Sequence, residues 1–252
     1  AAAPCRVYFL GSGALGIPVL GALASSPAVD LIGVGTQPDR PGGRHRHLQA
    51  TPLAASAEES GVSAERIADV NDPDFLDRLS STCPDLVVVV SFGQILHSGL
   101  LDLPRWGCLN VHASLLPRHR GASPIQAAIL EGDSESGVSF MRMDAGLDTG
   151  PVYERVALPL RGDETAEELE KGLARLAADH IVDVVSRVCT GELAATPQDG
   201  RQVTYARKIR KNCGLVDWRE DARRIERMVR AFRPWPGVSF FVPWKRRMRR
   251  IR

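Results

Sequence analysis

The run Asp85-Leu86-Val87-Val88-Val89-Val90-Ser91 constrains this chain more than any other stretch. Five aliphatic residues in a row, four of them β-branched, favour an extended backbone and leave no polar face for water. Such a strand must be covered on both sides, which points to a mostly parallel sheet between layers of helices. The surrounding sequence agrees. Residues 5–10 and 31–36 read as short apolar strands, and residues 14–24, 52–60 and 73–80 carry helical periodicity. Further on, 94–100 reads as helix, 107–112 as strand, 123–130 as helix, 138–143 and 151–158 as strands, and 164–187 as one long helix. The fold class is therefore α/β.

With 252 residues, 44% of them hydrophobic, the chain can bury a large core. Its formal charge of +2 announces no nucleic-acid partner, so any electrostatic argument rests on where the charges sit. Five cysteines, widely spaced and never in a C-x-x-C pattern, argue against a zinc site and a disulfide framework and are read as reduced thiols. No run of about 18 apolar residues is present, and residues 1–4 lead at once into a strand. No signal peptide or membrane contact is expected, and a cytoplasmic monomer is. Residues 191–210, rich in Thr, Pro, Gln and Gly, lack apolar periodicity and read as a linker between a domain of residues 1–190 and a short region of residues 211–252.

Gly11-Ser12-Gly13-Ala14-Leu15-Gly16 satisfies G-x-G-x-x-G between a strand and a helix. A dinucleotide site would also need an acidic residue at the end of the second strand, but there the chain reads Thr36-Gln37-Pro38-Asp39, with Asp39 in a proline-rich turn. A tight turn demanding small residues for packing is the better reading.

Chemistry concentrates in residues 107–124, where an apolar strand stops and polar groups begin. Asn110 and His112 are two apart, so on an extended backbone an amide and an imidazole leave the same face and can converge on one atom. Farther on, Asp148 lies in Asp144-Ala145-Gly146-Leu147-Asp148-Thr149-Gly150, a sharp glycine loop. A carboxylate there can hold an imidazole tautomer, although ordinary turn chemistry explains the spacing equally well.

These residues resemble the methionyl-tRNA formyltransferases. The resemblance rests on Asn110-Val111-His112, on Ser114-Leu115-Leu116-Pro117 running through Arg118-His119-Arg120-Gly121-Ala122-Ser123-Pro124-Ile125-Gln126, and on Gly132-Asp133 and Met143 to Gly150. Thr36-Gln37-Pro38-Asp39-Arg40-Pro41, Asp217-Trp218 and Arg230-Ala231-Phe232 leading to Pro234-Trp235-Pro236 extend it over residues 6–237.

The resemblance implies a Rossmann-like catalytic domain and transfer of a formyl group from 10-formyltetrahydrofolate to the α-amino group of methionyl-tRNA, without a metal. It assigns catalysis to Asn110, His112 and Asp148. It puts the folate across the strand ends at Ser91 and His112, lined by Phe92, Gly93, Ile95, Leu96, Ser114, Leu115, Leu116 and Pro117. It gives the tRNA acceptor end to Arg40, Arg44 and Arg46 in a glycine-rich basic loop. Family members continue into a C-terminal β-barrel that helps grip tRNA, so residues 211–252, six of whose last eight are basic, are expected to be an incomplete start of it. Two related activities fit the same catalytic set: N-formylation of a sugar nucleotide, and hydrolysis of the formyl folate.

Overall fold

The structure is a computed structural model that describes residues 3–42, 47–244 and 247–251. Its strands run in chain order as β1 (Cys5–Gly11), β2 (Val29–Thr36), β3 (Arg40–Gly42), β4 (His47–Gln49), β5 (Glu65–Arg66), β6 (Leu86–Val90), β7 (Cys108–His112) and β8 (Arg120–Gly121). They continue as β9 (Glu135–Arg142), β10 (Val152–Pro159), β11 (Tyr205–Ala206), β12 (Phe240–Trp244) and β13 (Arg247–Ile251). The α-helices are α1 (Gly16–Ser25), α2 (Pro52–Glu59), α3 (Pro73–Ser81), α4 (Ser98–Leu101), α5 (Pro124–Glu131), α6 (Ala166–Cys189) and α7 (Ala222–Ala231).

Among the described residues the central sheet has seven strands in the order β10-β9-β7-β6-β1-β2-β5. The five from β7 to β5 are mutually parallel, and β9 and β10 add antiparallel at one edge. The chain leaves β1 toward β2 and β5, then returns to place β6 on the other side of β1. The crevice for a ligand in such a sheet lies where the order reverses, beyond the carboxyl ends of β1 and β6.

Strand β6 explains this arrangement. All five of its side chains are buried, and they divide by pleat. Leu86, Val88 and Val90 join Val7, Phe9, Leu109 and Val111 in a core covered by α1, α2, α5 and α6. Val87 and Val89 join Tyr8, Leu10 and Cys108 against Phe75 and Leu79 of α3 and Leu100 and Leu101 of α4. Each such aliphatic side chain contributes about 1.5–3 kcal/mol by leaving water. Helix α6 is started by a capping box, in which the Thr165 hydroxyl accepts from Glu168 N and the Glu168 carboxylate accepts from Thr165 N.

Two expectations need correction. The helix read over 94–100 shrinks to α4, because the polar groups of the preceding loop bond across to residues 67–71. Gln94 accepts from Val70 N at 2.8 Å and donates to Ile67 O at 2.9 Å, while Asn71 accepts from His97 N at 2.8 Å. Nor are all five cysteines free: Cys5 at the start of β1 and Cys189 at the end of α6 are joined, their Cα atoms 6.2 Å apart. A separation of 184 residues kept that pair out of sight in the sequence. Residues 191–210, read as a linker, pair with the rest of the chain: Thr196 bridges to Val152, and β11 pairs in parallel with β8, in the loop after β7.

Candidate active site

Strand β7 alternates as the sequence reading requires. Leu109 and Val111 enter the larger core, whereas Cys108 belongs to the opposite face, the one that also carries Asn110 and His112. Asn110 is paired on both sides, with Val89 of β6 and Met141 of β9, so its backbone is fixed. Its side chain is half-buried, and among the described residues it takes part in no side-chain hydrogen bond. An amide held on a rigid strand with its donor unused is what binding an oxygen atom demands.

His112, two residues on, is buried. Its Nε2 lies 3.0 Å from the carbonyl oxygen of His119 and its Nδ1 lies 3.6 Å from Oδ1 of Asp148. A carbonyl only accepts, so Nε2 carries hydrogen. At 3.6 Å that second approach is longer than a hydrogen bond. Asp148 is itself constrained: its Oδ2 accepts from Gly121 N at 2.7 Å and its φ is +53°. Ser91, His119 and Asp148 are three of the four described non-glycine residues with positive φ, the fourth being Cys83. Such backbone persists only where its surroundings hold it, and here it lies in the loops following β6 and β7 and in the Asp148 loop.

The loop after β7 is braced from inside. Ser139 Oγ accepts from Leu116 N at 2.9 Å and donates to Ser114 O at 2.7 Å, and Ser114 Oγ donates to Arg118 O at 2.6 Å. Asp133 then holds the far end, accepting from Arg118 at 2.5 Å and bonding His119 Nε2 at 2.7 Å. Leu115, Leu116 and Pro117 help line a cavity of about 510 Å³ with Glu135 and Arg155. Burial lowers the pKa of Arg155, which donates to Leu116 O at 2.5 Å. Asn110, His112 and Asp148 do not line that cavity.

On the β6 side, Phe92 and Leu96 point into the smaller core, while Gly93 and Ile95 remain exposed. The glycine turn after β1 braces this loop: Ser12 Oγ donates to Phe92 O at 3.2 Å and accepts from Gln37 N at 3.1 Å. A Cβ on Gly13 would stand 3.0 Å from Ser91 Cβ, which accounts for glycine by packing alone. Gln37 donates to the same Phe92 carbonyl at 2.6 Å and accepts from Arg40. The exposed Arg40 is thus tied to the β6 loop, and Arg44 and Arg46 lie outside the described residues. Among the described residues, no three His, Cys, Asp or Glu side chains gather as metal ligands would.

Residues 5–185 match the formyl transferase family, and residues 208–250 match the formyl transferase C-terminal domain. The chain belongs to the formyl transferase family. This formyl transferase is 43% identical over 240 residues to the methionyl-tRNA formyltransferase of Sorangium cellulosum (strain So ce56), covering 95% of this chain and 76% of that one. It is 40% identical over 240 residues to the enzyme of the same name from Geobacter sulfurreducens (strain ATCC 51573 / DSM 12127 / PCA), covering 95% and 75%. In fold it superposes on a sugar N-formyltransferase from Shewanella sp FDAARGOS_354 with a TM-score of 0.75 at 16% identity, covering 98% and 96% of the two chains. HypX from Aquifex aeolicus, solved in complex with tetrahydrofolic acid, superposes at TM-score 0.64 and 18% identity, covering 94% of this chain and 36% of that one.

A formyl-transferring enzyme with this geometry brings His112 and Asp148 together, with Asn110 on the same strand face as His112. Sequence reasoning gave no role to Gln198 or Thr204, which touch the backbone of the Asp148 loop and of the loop after β7. Neither stands in a periodic or charged pattern, so nothing local marked them.

Proposed function

We propose that this enzyme transfers the formyl group of 10-formyltetrahydrofolate to the α-amino group of methionyl-tRNA, the modification that marks a tRNA for translation initiation, in the cytoplasm. The observation that carries the acceptor is identity of 39–44% with methionyl-tRNA formyltransferases over at least 92% of the chain. The fold likeness to sugar N-formyltransferases, at 16–17% identity, speaks for architecture alone.

The donor supplies an electrophilic formyl carbon. The acceptor amine adds to that carbon, negative charge grows on the formyl oxygen, and a proton must leave the attacking nitrogen for the departing folate nitrogen. Asn110, with its amide N–H unused, meets the growing charge. His112 joins it once its ring turns Nε2 from the His119 carbonyl toward the substrate, the tightening expected when a catalytic group meets its reactant. Asp148 faces the other ring nitrogen and holds the orientation of the ring while the proton is in transit. The loops at 92–96 and 114–117 hold the folate: Gly93 and Ile95 face it, and Phe92 and Leu96 support them from the core. Arg40, Arg44 and Arg46 engage phosphates of the acceptor stem, and residues 211–252 extend that contact.

The test is transfer of labelled formyl from 10-formyltetrahydrofolate to methionyl-tRNA, with an amino sugar nucleotide and water as competing acceptors. Label on the tRNA, lost in His112→Ala, is the expected result. Donor consumption with no label on tRNA would overturn the proposed acceptor.

A further inference from the structure

Two residues of the segment after α6 hold the loops that carry the catalytic pair. Gln198 uses its whole amide. Its Nε2 donates to the carbonyls of Asp148 at 2.9 Å and Gly150 at 2.7 Å, and its Oε1 accepts from Arg120 Nε at 3.0 Å and from a terminal guanidinium nitrogen at 2.8 Å. Nε2 also lies 3.6 Å from Met141 Sδ. The donors are thus shared among groups that fix the Asp148 loop, and the acceptor is given to a buried cation. A charge-assisted bond from the guanidinium polarises the amide and strengthens its donation at the other end.

Thr204 does the same for the partner loop. Its Oγ1 accepts from His119 N at 2.8 Å, and its carbonyl accepts from Arg120 N at 2.9 Å. His119 presents the carbonyl that meets His112 Nε2, and Gly121, one residue past Arg120, donates to Asp148 Oδ2. The close parallel pairing of β11 with β8 leaves no slack, since a Cβ on Gly121 would stand 2.6 Å from Ala206 O. The His119 carbonyl at His112 and the Gly121 N–H at Asp148 therefore both come from a backbone that this segment grips.

We infer that Gln198 is a positioning residue for formyl transfer, with Thr204 as its companion, and that together they set the orientation of His112 and the reach of Asp148. The inference rests on the reading of His112 and Asp148 as catalytic. Asp148 occupies a left-handed backbone conformation that has few reasons to persist without external support, and the carbonyl of that residue is one of the two that Gln198 holds. Releasing it lets the carboxylate relax away from the imidazole. A misplacement of about 1 Å at a catalytic centre lowers the rate about 100-fold.

The experiment measures formyl transfer from 10-formyltetrahydrofolate to methionyl-tRNA across about pH 5 to about pH 8, the range in which an imidazole changes charge, in Gln198→Met, Gln198→Glu, Thr204→Val and His112→Ala. Thermal midpoints are recorded beside the rates. Gln198→Met keeps the length of the side chain and removes its polar atoms, and it is expected to lower kcat about 10- to 100-fold while KM for both substrates stays within about 3-fold. Its pH profile is expected to move. Gln198→Glu keeps the acceptor for Arg120 but turns an oxygen toward two carbonyls, so it is not expected to restore the rate. Thr204→Val is expected to act in the same sense by about 3- to 10-fold. A kcat within about twofold of the parent, or a lower kcat with an unmoved pH profile, overturns the inference. Should Gln198→Met fail to fold, Thr204→Val decides by the same criteria. If His112→Ala remains active, the catalytic reading itself falls; if it is dead while the Gln198 and Thr204 variants run normally, only the positioning role falls.

Discussion

The Nε2 of His112 lies 3.0 Å from the carbonyl oxygen of His119, seven residues along the same loop. Together with Asp148 facing Nδ1, this contact occupies both ring nitrogens of the candidate catalytic imidazole. In the proposed mechanism the ring exchanges this backbone partner for the substrate. His112→Asn, too short to span both partners, is expected to lower kcat by about 100- to 10,000-fold. Single-turnover kinetics with both substrates saturating checks this, and a variant within about tenfold of the parent would show that His112 is not the proton-handling group.

Asn110 makes the opposite prediction for stability. Because its side chain has no hydrogen-bond partner among the described residues, Asn110→Ala gives up no internal bond. Its rate is expected to fall by about 100- to 1,000-fold, the loss of one oxyanion donor. The urea midpoint is expected to stay where it was. A large stability loss with near-normal kcat would make Asn110 a structural residue.

Asp133 ties Arg118 and His119 into one cluster, and its side chain is only 10% exposed. Asp133→Asn keeps the shape and removes the charge that both neighbours meet. Hydrogen bonds to charged groups contribute about 1.5–3 kcal/mol each, and Arg118 is exposed enough to be screened, so a loss of about 2 kcal/mol is expected. Denaturant unfolding reads it directly. An unchanged midpoint would mean that the cluster contributes nothing to folding.

Glu164 carries a pH-dependent share of stability. Burial raises its pKa, but the N–H groups of Arg161 at 2.7 Å and Gly162 at 3.0 Å outweigh it, and the nearby Arg161 charge adds to them. The net effect holds the carboxyl below its ordinary range. The unfolded chain then binds the proton more readily than the folded one, so this stabilisation is complete above the unfolded pKa of about 4.3 and is lost as pH falls through the folded value. The stability gap between the parent and Glu164→Gln is expected to be widest near neutrality and to close in acid. A gap that stays constant from about pH 7 to about pH 3 would contradict the assignment.

The cysteines separate by environment. Burial, with Asp102 adding and Arg142 opposing, pushes the Cys108 thiol up to about 12, whereas Cys83 is exposed. An alkylating reagent at about pH 8 is expected to mark Cys83 and spare Cys108, because the thiolate is the reactive form. Cys5 and Cys189 are expected to react only after reduction. Peptide mass mapping of the folded chain distinguishes these four of the five cysteines, and an early adduct at Cys108 would be the contrary result.

Most of the sheet could be read from the sequence, for a simple reason. The aliphatic run of β6 and the alternation of β7 are local patterns, and local patterns report local structure. The shared face of Asn110 and His112 follows from the same pleat. Asp148 stood out in its glycine loop, but spacing left its role level with ordinary turn chemistry until the resemblance assigned it, since its approach to His112 depends on how two loops fold over a strand end. Gln198 and Thr204 were invisible, because a Thr-, Pro- and Gln-rich stretch has the composition of a solvated connection whether or not its side chains find partners. Those partners lie far off in sequence, His119 being 85 residues from Thr204 and Gly150 being 48 from Gln198. The failed helix at 94–100 has a related cause: Gln94 and Asn71 offered the backbone distant partners that propensity does not count.

The pairing of β11 with β8 also bears on how the enzyme comes into being on the ribosome. A nascent chain that has emerged as far as α6 already holds every strand of the central sheet together with Asn110, His112 and Asp148. It does not yet hold the clamp, because residues 198–206 are synthesised afterwards. Domains fold as units from the N-terminal end during synthesis. The whole sheet and the candidate catalytic residues are thus synthesised before the segment that grips their loops, so a growing polypeptide carries a nearly complete site without its brace.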